Sequence, residues 1–272
     1  MRPPQYTKMP LEVAVFSGES LLKAQSQGAD RVELNAPGSY DLGGTTPPVS
    51  ELAKVSAEVK IPVRVMIRPR GAPWDRSPDF IYTEKEVAEM VRSIQEFKAT
   101  GLMNPFRGDG FVFGLLQPTD AVDPTTGEPE VVKIDEQSCL KLLEAAKPFG
   151  CVFHRAFDPI AATKRISEGV QTLINLGFEG LLTAGGRGNC KDNIDRIDHE
   201  CHKQAGRIQF VIGGGLRAVN IHNVATQFST YEKGSVWLHT AALSPRPDYP
   251  REEIDSNELI KMLANLDSVS VR

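Results

Sequence analysis

The sequence is short of three things. No apolar run in its 272 residues approaches the ~18–20 residues of a membrane span. Cysteine occurs four times, at Cys139, Cys151, Cys190 and Cys201, with no C-x-x-C pair. That removes disulfide scaffolds and zinc-ribbon readings, and leaves reduced structural thiols in a cytoplasmic protein. An excess of one charge is also missing. Lysine plus arginine number 31 against 35 aspartate plus glutamate, a net charge of −4 with a sequence pI of about 5.8. This balance argues against nucleic-acid and anionic-membrane partners, while a local basic pocket for a small anion stays open. A signal peptide is not expected, because the polar segment Met1–Pro10 is followed by an apolar run that Glu12 interrupts.

What is present is an ordinary globular composition, 40% apolar and 24% charged, in a chain long enough to bury a core without staples. Eight short apolar runs rich in β-branched and aromatic residues read as strands: Leu11–Phe16, Asp30–Asn35, Pro62–Arg68, Gly110–Leu115, Cys151–Arg155, Glu179–Thr183, Ile208–Gly213 and Ser235–Thr240. Helical patterns follow them at Gly18–Gln27, Val49–Val59, Lys85–Ala99, Ile134–Lys147, Thr163–Leu176, Asn193–Gln204, Ala218–Phe228 and Ser256–Asn265. Eight βα units spaced about 32 residues apart predict a parallel sheet closed as a single (β/α)₈ TIM-type barrel over 11–272, with 1–10 as a tail. A doubly wound open sheet is the alternative, but Ser17-Gly18-Glu19 supplies no dinucleotide fingerprint. Two connections are long. Gly71–Thr83 reads as a lid over the mouth, and Gln117–Val131 as a turn-rich surface insertion rather than a calcium loop.

Side chains alternate in and out along a barrel strand. With the apolar positions facing the helices, Glu12, Ala14, Phe16, Arg31, Glu33, Asn35, Arg64, Met66, Arg68, Trp237 and His239 point inward. So charged an interior needs internal pairing. Glu12, Arg31 and Arg64 read as structural. Glu33, Arg68 and His239, at the C-terminal strand ends where barrel active sites lie, read as functional. At the end of the fifth strand, His154 and Asp158 suggest an acid–base pair, or Asp158 a helix cap. Glu33, His154, Asp158 and His239 are thus the candidate catalytic set. Arg68 and Arg70, Thr183, Gly185 and Gly186 after the sixth strand, and Gly214 and Gly215 after the seventh are candidate anion-binding groups. The two arginines could instead be one structural and one solvated, and barrel corners also use glycine.

The segment Phe153-His154-Arg155-Ala156-Phe157-Asp158 resembles a motif of the CutC family of copper homeostasis proteins. So do Gly28-Ala29-Asp30-Arg31-Val32-Glu33-Leu34, Gly43-Gly44-Thr45-Thr46-Pro47, Arg68-Pro69-Arg70-Gly71, Leu182-Thr183 and Gly213-Gly214-Gly215 with Arg217 and Asn220. The resemblance runs from Leu11 to about Ala241. It implies a TIM-type barrel, a cytoplasmic location, self-association as a homo-oligomer and a link to copper tolerance, with copper as the implied ion. Where many relatives carry cysteine, this chain has Ala14 and Asn35. Two functions therefore stand side by side. One is copper homeostasis, with copper bound directly or tolerance affected indirectly. The other is a barrel enzyme doing acid–base chemistry on a small phosphorylated or carboxylated substrate.

Overall fold

The structure, a computed structural model, describes residues 8–75, 77–120, 132–244 and 246–269. Its elements run β1 (Leu11–Val15), α1 (Gly18–Gln27), β2 (Arg31–Leu34), α2 (Val49–Ala53), β3 (Val63–Met66), α3 (Glu84–Ala99), β4 (Gly110–Phe113), β5 (Leu116–Pro118), β6 (Val132–Ile134), α4 (Glu136–Ala146), β7 (Gly150–Phe153), α5 (Asp158–Ala161), α6 (Ile166–Leu176), β8 (Gly180–Thr183), α7 (Ile194–Gln204), β9 (Gln209–Ile212), α8 (Ile221–Phe228), β10 (Val236–Thr240) and α9 (Ser256–Asp267). Eight parallel strands close in the order β1-β10-β9-β8-β7-β4-β3-β2, and β5 pairs antiparallel with β6 outside the barrel. The predicted barrel is therefore the observed one. Among the described residues no helix is long and apolar enough to cross a membrane.

Local chemistry explains where the helices begin. Ser17 caps α1, and Gly28 closes it with φ +105°. Thr83 and Glu86 form a reciprocal capping box at α3. Three of the boundaries that differ from the periodicity reading have a local cause. The predicted helix Val49–Val59 stops at Ala53, because Val55 N and Glu58 N donate to carbonyls three residues back and tighten the chain into turns. Ile134 lies in β6, since the Asp135 side chain accepts from Ser138 N and starts α4 after it. Helix α6 starts at Ile166 rather than Thr163, whose hydroxyl instead accepts from Arg165 N. The expected surface insertion falls within 117–131, of which 121–131 lie outside the described residues; its described start pairs into the β5–β6 ribbon.

The core lies between barrel and helices. Leu11, Val13, Val15, Val32, Leu34, Val63, Val65 and Ile67 are all fully buried there. Each stabilises the fold by about 1.5–3 kcal/mol. A slip of one residue would expose this set and turn the charged set into the apolar layer, so the in–out register is strongly fixed.

Candidate active site

Inside the barrel the two sides differ. Met66, Val112, Val152, Leu182, Val211 and Trp237 pack into an inner apolar cluster on β3, β4, β7, β8, β9 and β10. Opposite lies an ionic cluster. Register places Glu12 beside both Arg31 and His239, and Glu33 beside Ala14 and Arg64. Glycine makes room for the deepest charge. A Cβ at Gly110 would collide with Arg64 Nη1, and one at Gly150 with Glu179 Oε2. Arg64 thereby crosses the barrel floor to Glu179 (2.8 Å) and to the Gly150 carbonyl (3.2 Å).

Above it, the Arg31 Nε–H donates to Glu12, and the Arg31 guanidinium lies 3.9 Å from the Trp237 ring centroid. Glu12 Oε1 is 2.7 Å from His239 Nδ1. Burial pushes the Glu12 carboxyl up, but Arg31 and the His239 hydrogen bond outweigh it and hold its pKa at about 2. For His239 burial opposes the charged form, yet the fields of Glu33 and Glu12 and the Glu12 hydrogen bond raise its pKa above the ordinary value. Glu33 is moved the other way from Glu12: burial raises its pKa, against the partial opposition of His239. Glu33 Oε1 accepts from Asn35 Nδ2 at 3.1 Å, while its Oε2 is buried without a partner. One ligand atom each from Glu12, Glu33 and His239 lie within 4.8 Å of one another. Glu33 and His239, two of the four candidate catalytic residues, are thus brought together with Glu12, which alternation assigns a structural part.

His154 and Asp158 are not joined in an acid–base pair. His154 Nδ1 accepts from Ala156 N at 3.2 Å, which leaves the proton on Nε2. Burial, together with the Arg68 charge, lowers the His154 pKa to about 3, so it is neutral near pH 7 and its buried Nε2 has no partner. Asp158 faces away from it. Oδ1 accepts from Thr183 Oγ1 (2.6 Å) and Ala184 N (2.8 Å), and Oδ2 from Arg155 Nε (2.7 Å). Asp158 and Thr183 thereby clasp the end of β8 to α5.

The arginines expected to hold an anion are also engaged. Arg68 donates to the carbonyls of Leu42 and Gly44 and pairs with Asp79 at 2.7 Å. Arg70 pairs with Glu86 and donates to the Ile81 carbonyl. Both pin the predicted lid, the connection Gly71–Thr83, onto the mouth. Phe80 of that connection lies between Arg68 (4.9 Å from Cζ to ring centroid) and His154 (4.8 Å between ring centroids). Its backbone sits at φ +65°, a conformation that costs a side-chain-bearing residue about 1 kcal/mol or more. Sequence reasoning missed Phe80; the proline-rich loop containing it was the available signal.

The glycine turns after β8 and β9 pack against each other's loops. Gly185 N donates to Thr183 Oγ1, and a Cβ there would press on Ile197. A Cβ on Gly186 would meet Arg196, one on Gly214 would meet Ala184, and one on Gly215 would collide with Asn189. The four cysteines are free, buried and scattered over α4, β7, the 3-10 turn before α7, and α7 itself. Burial pushes Cys151 up to about 12 and Cys190 to about 11, and raises Cys139 and Cys201 further.

The sequence profile described as CutC family matches residues 9–239. The human copper homeostasis protein cutC homolog is 35% identical over 240 residues, which cover 87% of this chain and 74% of that protein. A CutC family protein of Xanthomonas axonopodis pv. citri is 36% identical over 244 residues, 88% of each chain. Among solved structures, a CutC from Streptococcus agalactiae superposes with a TM-score of 0.68 at 25% identity, over 86% of this chain and 98% of that one.

Proposed function

The chain belongs to the CutC family, and from that membership we propose that it serves copper homeostasis indirectly, as a cytosolic barrel enzyme acting by acid–base chemistry on a small anionic substrate. Four unbridged cysteines suit the reducing cytosol. The observation that carries the reading is Glu33: a buried carboxyl with a raised pKa and one oxygen without a partner, set against a histidine that Glu12 holds in place. A carboxyl whose pKa moves toward neutrality is suited to give or take a proton at physiological pH. In this reading Glu33 moves the proton, His239 supplies positive charge beside it, and Asn35 fixes the carboxyl plane. His154 has an unpartnered Nε2 proton to offer the substrate in a hydrogen bond without ionising.

Copper as cargo fits the residues poorly. Cu(I) takes thiolate and thioether ligands, whereas these four thiols are protonated, buried and on separate elements. The oxygen–oxygen–nitrogen trio of Glu12, Glu33 and His239 favours a second reading, a borderline divalent ion. Against it, Glu12 is already committed to Arg31 and His239.

Two measurements test the proposal. Titration against a strong Cu(I) chelator is expected to leave no stoichiometric copper on the protein. Copper retained one-to-one, and lost on mutating a cysteine, overturns the indirect role. Infrared spectroscopy is expected to show a protonated-carboxyl stretch that persists to higher pH than that of an ordinary glutamate and that Glu33→Gln abolishes. An unchanged spectrum in that variant removes Glu33 as the acid.

A further inference from the structure

A second concave site lies beside the barrel mouth. It is a cleft of about 780 Å³ between α5, α6, the β6 strand and the turn after β8. Four arginines line it. Arg165 is paired with Glu168, and of the other three, two are held in place by the protein's own backbone or side chains. Arg155 is anchored through Nε to Asp158, which leaves its terminal nitrogens for another acceptor. Arg196 Nη1 bridges the carbonyls of Ala161 (3.1 Å) and Gly185 (2.9 Å). Arg187 sits between Gly186 and Gly188, which have φ +140° and +84°, and its side chain is exposed.

Two of the three acids that line the cleft are spent; the third is Glu136, in the first turn of α4. Asp158 accepts from Thr183, Ala184 and Arg155, and Glu168 is paired with Arg165 at 2.6 Å. Among the described residues neither Arg187 nor Arg196 forms an ion pair with a carboxylate. Guanidinium forks with terminal nitrogens to spare match the oxygens of a tetrahedral dianion better than a single carboxylate, because each fork can engage a different pair of oxygens.

The cleft also adjoins the acid–base pair. An ideal Cβ on Gly213 would lie 3.2 Å from His239 Cδ2, and one on the next residue, Gly214, 3.5 Å from Arg155 Cζ. Two consecutive glycines thus separate His239 from Arg155. We propose that the cleft binds the phosphate of a small phosphomonoester through Arg155, Arg187 and Arg196, with the organic part of the ligand directed across the β9 turn to Glu33 and His239. This assignment deepens the acid–base reading and rests on it for the destination of the organic part. It moves the anion subsite from Arg68 and Arg70 to a different side of the mouth.

Calorimetric titration of the full chain with inorganic phosphate at low ionic strength tests it, with acetate as the competing anion class. Phosphate is expected to bind at least about tenfold more tightly than acetate. Arg187→Ala is expected to weaken phosphate about tenfold, and Arg187→Lys to recover part of the loss. Arg187 is exposed and supports no other group, so these variants should fold. Arg155→Ala should weaken phosphate by a similar factor. Phosphate affinity unchanged in both alanine variants, or acetate equal to phosphate, overturns the proposal. Glu33→Gln separates the two readings, because phosphate affinity is expected to persist in it. If phosphate binding follows the arginines while Glu33 shows no protonated carboxyl, the cleft stands and the acid–base reading falls. If Glu33 is protonated but phosphate does not bind, the cleft assignment falls alone.

Discussion

The barrel interior is two materials joined at one residue. Toward β4, β7, β8 and β9 it is Val112, Val152, Leu182 and Val211 in close contact, with Met66 completing the layer. Toward β1, β2 and β10 it is Glu12, Arg31, Glu33 and His239. Trp237 is the seam, part of the apolar cluster on one side and stacked beneath Arg31 on the other. The apolar side needs only its volume filled. The ionic side must satisfy directional groups, and it does so incompletely: Glu33 Oε2, Asn35 Oδ1 and Arg31 Nη2 are buried without partners. A buried group left unpartnered costs stability. The residues proposed to move the proton, Glu33 and His239, therefore sit on the side of the barrel where the fold does not satisfy itself.

The strongest way to break this comparison is to remove Glu12. Glu12→Ala strips a partner from both Arg31 and His239 and leaves two buried cations unpaired. A loss of about 3–5 kcal/mol is expected, read as the shift in free energy of urea unfolding. A loss under about 1 kcal/mol would mean that water replaces the carboxylate, and the ionic side would then be wet. On the other side Leu182→Ala should cost about 2–4 kcal/mol through the cavity it leaves, with no dependence on pH.

The pH dependence sharpens the contrast. Glu12, with its folded pKa held at about 2, contributes stability that is fully present above the ordinary carboxylate value and is lost as pH falls from about 4.5 toward 2. His239 has a raised folded pKa. Its contribution is complete below the ordinary histidine value and is lost as pH rises through the folded one. The ionic side therefore weakens at both ends of the scale. Glu12→Gln should flatten the acid limb below about pH 4.5 by up to about 3 kcal/mol relative to the parent. Parallel acid limbs in the two proteins would show that Glu12 carries no such linkage.

Alternation along the strands was enough to find the ionic side, because the apolar positions of β1, β2, β3 and β10 leave only one face for Glu12, Arg31, Glu33, Arg64 and His239. It could not say which of them interact, since closure of the barrel joins β10 to β1 across 227 residues of chain. The arginines pose a related difficulty. Arg68 and Arg70 look like donors waiting for an anion until Asp79, Glu86 and the carbonyls of Leu42, Gly44 and Ile81 are folded onto them. Three-dimensional neighbours also decide the histidines: one at a strand end packs beside Phe80 and Arg68, the other against two glutamates.

The smallest expected effect follows from those neighbours, and it is a difference in charge rather than in stability. His239 should keep its proton to a higher pH than an ordinary histidine, because two carboxyl groups face it and one accepts its Nδ1 proton. His154 should remain neutral down to about pH 4, because burial and the Arg68 guanidinium oppose a second proton while Ala156 N occupies Nδ1. Imidazole resonances followed by NMR from pH 8 to pH 5 should therefore move for neither residue through an ordinary midpoint near 6.5. At the ordinary midpoint their nitrogen shifts should differ, with His239 mostly in the cationic range and His154 as an Nε2–H tautomer. A midpoint near 6.5 for His154 would mean that water reaches its ring past Phe80. The connection 71–83 would then be an open loop rather than a cover, and His154 would return to the set of groups able to exchange a proton.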